Sequence, residues 1–303
     1  MGKEYFLYEK DAQKRIASIT FNKPENRNMA TMEDMHALPP LLREIEEDDD
    51  VKVLILKGAG ECFGSGGDIK ALGPDTVGFS RDPKAPRPTV RKRLIMERRM
   101  GHDAVNPGAL TAIFHFCKPC IAQVHGYCYG WHFQVATGAD IVITSEEALF
   151  THPAFRYVME AWPMMVWLES MGTKKAAEMM FTGRAFTAQE MEQCGLVNKV
   201  VRRDKLEQEV NEMASIIAMQ PLDVLVVEKH FLETLGSMRN DINAPNLVGC
   251  MAHMLSTYMK LDPGDYSVLR ETTKLGASGA IKERERRYPP KYRLSYSGRA
   301  AAE

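Results

Sequence analysis

The sequence predicts an α/β fold built around one large core, and three observations carry that expectation. Val53 to Ile69 (VLILKGAGECFGSGGDI) and Cys120 to Gln134 (CIAQVHGYCYGWHFQ) each pass from an apolar strand through glycines into helix-compatible sequence. Further strand-like runs, Asp140 to Ser145, Ala148 to Thr151 and Gly195 to Val201, alternate with helical patterns. Finally, 303 residues with 45% hydrophobic content can bury a substantial core without requiring two independent folds. One large domain, or one domain with a helical appendage, satisfies all three.

Taken in order, Tyr5 to Tyr8 and Ile16 to Phe21 read as a hairpin around the polar turn Glu9 to Lys14. The loop Asn22 to Asn28 feeds a helix from Thr31 to Ile45; Thr31 and Asp34 stand in capping-box spacing, and Pro39-Pro40 should distort its middle. The acidic run Glu46 to Asp50 closes it, and strand Val51 to Lys57 leads into the first glycine turn. Gly73 to Pro88 has the composition of a long surface loop or lid, and Thr89 to Met100 reads as a basic helix with a solvated or phosphate-facing side. Ala109 to Phe116 is helical up to the strand that Pro119 opens, and the helix after Gly130 ends near Thr137-Gly138. His152 to Phe155 is a turn, and Trp162 to Met171 and Lys174 to Phe181 are helices. Beyond Val201 the pattern is helical to Leu261, with Arg203 to Met219 and Val224 to Leu235 amphipathic. The basic, Tyr-bearing stretch Lys282 to Glu303 reads as partly disordered or wrapped on a neighbour.

A formal net charge of −1 gives no bias toward nucleic acid or an anionic membrane. The charged N-terminal residues do not resemble a signal peptide, and no apolar run approaches the ~20 residues of a membrane span, so a cytoplasmic protein is expected. Of six cysteines, Cys117 and Cys120 form one CxxC, with no second CxxC, and with His115 and His125 flanking it outside ligand spacing. Reduced structural thiols are expected, with no metal and no redox cofactor.

The glycine turns point to chemistry. A helix starting at Trp131 leaves the N–H groups of Gly130, Trp131 and His132 without helical partners, where negative charge is stabilised. Gly64 to Gly67 offers a second such place, Gly67 permitting close approach of a ligand. Two such units could aim two N–H groups at one oxygen, the arrangement that stabilises an oxyanion or a thioester enolate. Taken one at a time, each reads as a plain tight turn of an α/β fold.

Asn22 to Asn28, Gly58 to Ile69, Pro119 to Asp140, Ala148 to Pro153, Phe181 to Ala188 and Gly195 to Val201 resemble, in order and spacing, the crotonase superfamily (enoyl-CoA hydratase/isomerase family), over residue 5 to about 235. The resemblance implies a crotonase-like ββα spiral core over 1–202, a C-terminal helical trimerisation region over 203–281, and a basic tail over 282–303. It implies acyl-CoA substrates, coenzyme A entering only as part of the thioester with no other cofactor, and a homotrimer or dimer of trimers. The oxyanion-hole donors fall on Gly67 and Trp131, and coenzyme A on Asn26, Arg27, Ser65, Gly67 and Ile69. The positions of the two glutamates used by hydratases of the family are Gln134 and Ala154 here, and its Gly-Gly-Gly is Gly130-Trp131-His132. A neutral amide and a methyl group cannot carry two-glutamate hydration, so isomerase- or hydrolase-like chemistry is expected. His132 is the first candidate acid/base, with a packed core histidine as its structural alternative. His152 and Glu160 follow, Gln134 could orient a water or carbonyl, and His102 and Glu97 are weaker candidates. A non-catalytic acyl-CoA-binding or scaffold protein is the alternative from another class.

Overall fold

The computed structural model describes residues 5–68, 112–156, 164–238 and 266–300. The hairpin β1 (Phe6–Asp11) and β2 (Ile16–Phe21) pairs antiparallel and opens a six-stranded sheet, which continues in parallel through β3 (Val53–Gly58), β4 (Cys120–Val124), β6 (Ile141–Ser145) and β9 (Lys199–Val201). A second sheet of three strands holds β5 (Tyr127–Tyr129), β7 (Leu149–Thr151) and β8 (Phe186–Thr187). The chain therefore steps twice from a strand of the large sheet to one of the small sheet and on into helical structure. These are the two turns of the expected spiral.

Both faces of the large sheet are covered, and this accounts for the unbroken apolar run of β3. With period two along the strands, Val53, Ile55, Ile121 and Ile143 face one side, where they meet Leu206, Val210 and Ala214 of helix α5 (Leu206–Ala218). Leu54, Leu56, Ala122, Val124 and Val142 join the main core on the other side. That core also holds Leu38, Leu42 and Ile45 of α1 (Met32–Glu47), Phe133 of α2 (Trp131–Gly138), and Met171 and Met179 of α3 (Met164–Thr182).

The local signals act as their chemistry requires. The Thr31 hydroxyl accepts from the Asp34 N–H at 3.2 Å while the Thr31 N–H donates to the Asp34 carboxylate at 2.7 Å, completing the capping box. The α1 helix runs through Pro39 and Pro40, its buried face holding it to the core. The break expected between two helices falls at Gly172, whose φ of 70° interrupts α3. The final strand is shorter than the expected Gly195 to Val201. Thr187 and Glu190 cap α4 (Ala188–Gln193) as a second box. The regions 73–88 and 89–100 read as lid and basic helix lie outside the described residues.

In the C-terminal part, α6 (Leu222–Met238) is tied to the sheet by the buried Lys229, which pairs with Asp140; Asp140 in turn accepts the Cys120 N–H at 2.8 Å. The helix α7 (Val268–Arg286) breaks at Gly276 and passes through the 281/282 division set from sequence. The expectation of a disordered or neighbour-wrapped tail is corrected over residues 282–300. A short 3-10 turn (Pro290–Tyr292) and α8 (Tyr296–Ala300) fold back on this chain's own core. Tyr296 stacks on Tyr127 at 4.6 Å, the Tyr129 hydroxyl donates to the Leu294 carbonyl at 2.8 Å, and Arg299 donates to the Ala185 carbonyl at 3.1 Å. Tyr288, Tyr296 and Arg299 of the tail meet Arg156, Tyr127 and Ala185, each more than a hundred residues away, so the local composition suggested a disordered or neighbour-wrapped segment.

Arg156 is the central fastener of that tail. Its side chain is 1% exposed, donates to the carbonyls of Thr182 (3.1 Å) and Tyr292 (2.7 Å) and to Glu285 (3.2 Å), and lies 3.9 Å from the Tyr288 ring. Arg156→Leu removes a buried guanidinium together with its hydrogen bonds to two carbonyls and to Glu285, and should cost about 3 kcal/mol. Limited proteolysis should then cut within 286–300 before it cuts the sheet. A cleavage pattern equal to that of the wild-type chain would show that the tail is held elsewhere.

Candidate active site

The first glycine turn is stitched down on both sides. Asn28, buried and at φ 56°, donates from its amide to the carbonyls of Ala59 (2.9 Å) and Cys62 (2.8 Å) and accepts the Lys23 N–H at 2.9 Å. Ala30 forms a parallel bridge opposite Gly67, its N–H donating to the Gly66 carbonyl (3.0 Å) and its carbonyl accepting from the Asp68 N–H (2.8 Å). In such a bridge the flanking residues carry both hydrogen bonds, so the N–H of Gly67 points away from Ala30. Gly64 is paired to β5 through Tyr127 and Tyr129, at 2.9 Å each.

The second turn differs from expectation at one position. The Gly130 N–H is occupied, donating to the Thr151 carbonyl at 3.0 Å, because Gly130 still belongs to the ladder between β5 and β7. Trp131 is the first helical residue, and its N–H has no acceptor within α2.

The two turns touch through glycine backbone. Gly66 and Gly130 have φ of 102° and 56°; a Cβ on Gly130 would lie 3.2 Å from the Gly66 Cα, and one on Gly66 would lie 3.2 Å from the Tyr129 carbonyl. This contact places Gly67 and Trp131 on one cavity of about 370 Å³. Met29, Met35 and Pro153 give it apolar walls. Arg27, Ser65, Gln134, His152 and Ala154 also line it, as the sequence reading expected for a common site. Asn26 is exposed and is not among the lining residues, while Ile69, Glu160, Glu97 and His102 lie outside the described residues. Buried within α2, Gln134 Nε2 and Trp131 Nε1 have no acceptor among the described residues.

The remaining wall was not foreseen. Ala277, Ser278, Ile281, Arg284 and Glu285 line the cavity at the spacing of one face of α7, joined by Leu294 and Ser295. Nothing in the spacing of α7 announces a site some 130 residues from α2; only the fold brings them together. Asp68 also lines the cavity, and its adjacency to Gly67 was a signal available in the sequence. Asp68 and Glu285 are the carboxylates of the described lining. Glu285 is fully engaged, one oxygen with Arg156 and Arg284 and the other with the Leu294 N–H at 2.8 Å.

The reading of His132 as an acid/base is corrected. His132 is 0% exposed and absent from the cavity lining. Its Nδ1 accepts the Gly66 N–H at 3.1 Å, which leaves the proton on Nε2, 2.9 Å from the Tyr5 hydroxyl; that hydroxyl donates onward to the Asn28 carbonyl at 2.8 Å. Burial pushes the imidazole down to about 3, so it stays neutral. His125, whose Nε2 bonds the Gly60 carbonyl at 3.0 Å, is pushed down to about 4, chiefly by burial and then by Arg203. The cysteines within the described residues are free thiols, with burial raising Cys62 to about 11. No cluster of three or more His, Cys, Asp or Glu among the described residues is arranged to hold a metal.

With this geometry the site defines an α/β protein in which the glycine turn at Gly67 and the helix start at Trp131 border one largely apolar cavity. The chain matches the family model for enoyl-CoA hydratase/isomerase over residues 11–94 and 101–246. It belongs to that family, within the crotonase superfamily. Its relatives include a mevalonyl-coenzyme A hydratase of Aspergillus fumigatus, 30% identical over 213 residues that cover 69% of this chain and 71% of the relative. A peroxisomal dienoyl-CoA isomerase of Arabidopsis thaliana is 28% identical over 64% of this chain and 68% of its own. Among solved structures, a probable enoyl-CoA hydratase from Mycobacterium thermoresistibile superposes with a TM-score of 0.71 at 28% identity, covering 82% of this chain and 94% of that one. An enoyl-CoA hydratase/isomerase from Xanthobacter autotrophicus Py2 gives 0.79 at 23% identity over 94% and 99%, which establishes the shared fold.

Two predictions follow from the buried geometry. Gly130→Ala forces a side chain into a left-handed backbone position against Gly66; a loss of about 2 kcal/mol is expected in the denaturant midpoint, and no change would mean that the turns can part freely. For pH, His125 and His132 protonate near 6.5 in the unfolded chain but only toward 4 and 3 when folded. Below 6.5 the unfolded state binds more protons, so this stability is complete above 6.5 and is lost as pH falls, by about 1.4 kcal/mol per pH unit for each histidine. Melting temperature should drop between pH 7 and 5, with a shallower slope in His132→Asn; parallel slopes would assign the titration to other groups.

Proposed function

We propose that the cavity binds the acyl end of a coenzyme A thioester and that the N–H groups of Gly67 and Trp131 stabilise the oxyanion or enolate formed at its carbonyl. The observation that supports this is the convergence of these two donors, one turned from its own bridge and one at a helix start, on a single cavity. A donor of this kind is worth about 3 to 4 kcal/mol in the transition state. Arg27, exposed beside Ser65 at the cavity and 5.5 Å from the Tyr127 ring, supplies positive charge for the phosphates of coenzyme A, with Gly67 beside them; Asn26 and Ile69 remain candidates from sequence for the same role. No cofactor beyond the substrate's own coenzyme A is needed.

The chemistry favoured is isomerase- or hydrolase-like, using one base, rather than hydration by two glutamates. Gln134 presents an amide, Ala154 a methyl group, and Glu285 is consumed by two arginines and a backbone N–H. His152 and Asp68 are the groups of the lining placed to move a proton, with Glu160 a further candidate from sequence, and the unpartnered Gln134 Nε2 can hold a water or a carbonyl oxygen. The assembly proposed is a homotrimer or dimer of trimers. Val224, Val227, Phe231, Leu232 and Leu235 leave an exposed apolar stripe along α6, as a surface meeting another copy would.

A panel of saturated, 2-enoyl, 3-enoyl and 3-hydroxyacyl thioesters of coenzyme A, followed by mass spectrometry of the products, tests this reading. Double-bond migration or thioester cleavage is expected, with kcat reduced about a hundredfold in His152→Ala or Asp68→Asn. Hydration as the main reaction would overturn the one-base chemistry. Binding without product in every case would favour a non-catalytic acyl-CoA-binding protein.

A further inference from the structure

We infer that His132 is a positioning residue, a strut whose imidazole sets the separation and aim of the two backbone donors without touching the substrate. The inference rests on the oxyanion-hole reading above and goes beyond it, since it names what holds the hole in shape.

Ser65-Gly66-Gly67 is the part of the first turn with the greatest intrinsic backbone freedom, and Gly66 adopts a φ of 102° that other residues rarely reach. Such a segment keeps one geometry only if its peptide groups are held from outside. On one side Ala30 does this, bonding the Gly66 carbonyl at 3.0 Å; across the trans peptide this turns the Gly67 N–H the opposite way. On the other side the hold is His132 Nδ1, which takes the Gly66 N–H at 3.1 Å. The residue that provides this acceptor is also the neighbour of Trp131, whose N–H is the second donor. One rigid, planar side chain thus spans from the backbone of one donor turn to the backbone of the other.

The strut is itself braced. The His132 Nε2 proton points to the Tyr5 hydroxyl at 2.9 Å, which donates to the Asn28 carbonyl at 2.8 Å, so a single direction of donation runs from helix α2 to the loop ahead of α1. The rings of Phe21, Trp131 and Phe63 meet the imidazole edge-on at 5.0, 5.0 and 6.0 Å. Room for it exists because residue 64 is glycine: a Cβ there would overlap the His132 ring. The fit is therefore mutual, a missing side chain on one turn accepting a large one from the other.

The test uses two ligands of the intact protein: free coenzyme A, which has no acyl carbonyl, and 3-oxobutanoyl-CoA, a thioester whose enolate is followed by its near-ultraviolet absorbance. In the wild-type chain the acyl ester should bind more tightly than free coenzyme A and show bound enolate. His132→Leu, which keeps volume but removes the acceptor, should reduce that advantage by about tenfold or more and lower the enolate signal, with coenzyme A affinity held. His132→Asn, whose Oδ1 can occupy the Nδ1 position, should restore most of it. If His132→Leu does not fold, Tyr5→Phe carries the test, since it removes only the hydroxyl that braces Nε2; a loss of about threefold is expected. An acyl advantage unchanged in His132→Leu, or in Tyr5→Phe where that variant decides, overturns the strut. Failure of the wild-type chain to bind either ligand overturns the acyl-CoA reading itself, and the strut with it.

Discussion

The contact between the backbones of Gly66 and Gly130 is the constraint on which the rest of the site depends. Two glycine turns, one following β3 and one leading from β5 into α2, can border one small volume only if their main chains approach without side chains between them. Close packing around that point is correspondingly dense. Gly64 yields its space to an imidazole, Gly126 turns the corner from β4 to β5 at φ 58°, and Asn28 fills a buried position with its side chain hydrogen-bonded to the backbone of Lys23, Ala59, Cys62 and Phe63. The large sheet serves this arrangement by being buried on both faces, which leaves β3 and β4 little freedom to shift and so fixes where their turns begin.

Electrostatically the centre of the molecule is quiet. Both histidines nearest the glycine turns, His125 and His132, are held neutral by burial and carry hydrogen bonds with defined direction. Of the charged groups that line the cavity, Arg284 and Glu285 pair with each other on its α7 wall, while Arg27 and Asp68 lie at the first glycine turn. A cavity walled by Met29, Met35 and Pro153 beside the glycine turns suits the proposed uncharged carbonyl that becomes anionic during reaction, because fixed backbone dipoles are already oriented when charge develops.

Much of this could be read from the chain before any coordinates. The two glycine turns, the capping box at Thr31 and the helix break between Met171 and Lys174 have local signals in glycine runs, a Thr-x-x-Asp spacing and an apolar period, whereas the grouping of Gly67, Trp131, Gln134, His152 and Ala154 was implied by the family resemblance. The failures have a shared cause. His132 sits where a first-turn side chain could reach substrate, and only its neighbours Gly64 and Tyr5, distant in sequence, decide that it turns inward. Gly130 looked like a donor because strand and helix overlap at that residue, and the ladder partner Thr151 lies beyond the next strand. The tail from Lys282 was expected to be partly disordered or wrapped on a neighbour because Tyr288, Tyr296 and Arg299 meet residues more than a hundred positions earlier, a relation that no window of sequence contains.

That tail has one further implication. The wall formed by α7 is supplied by the same polypeptide and fastened through Arg156, so its local concentration at the cavity is set by chain connectivity and is indifferent to how dilute the protein is. Whatever assembly the exposed face of α6 supports, the described boundary of the cavity does not have to be borrowed from a neighbour. Loss of any such assembly would change which surfaces meet solvent while leaving intact the described walls around Gly67 and Trp131.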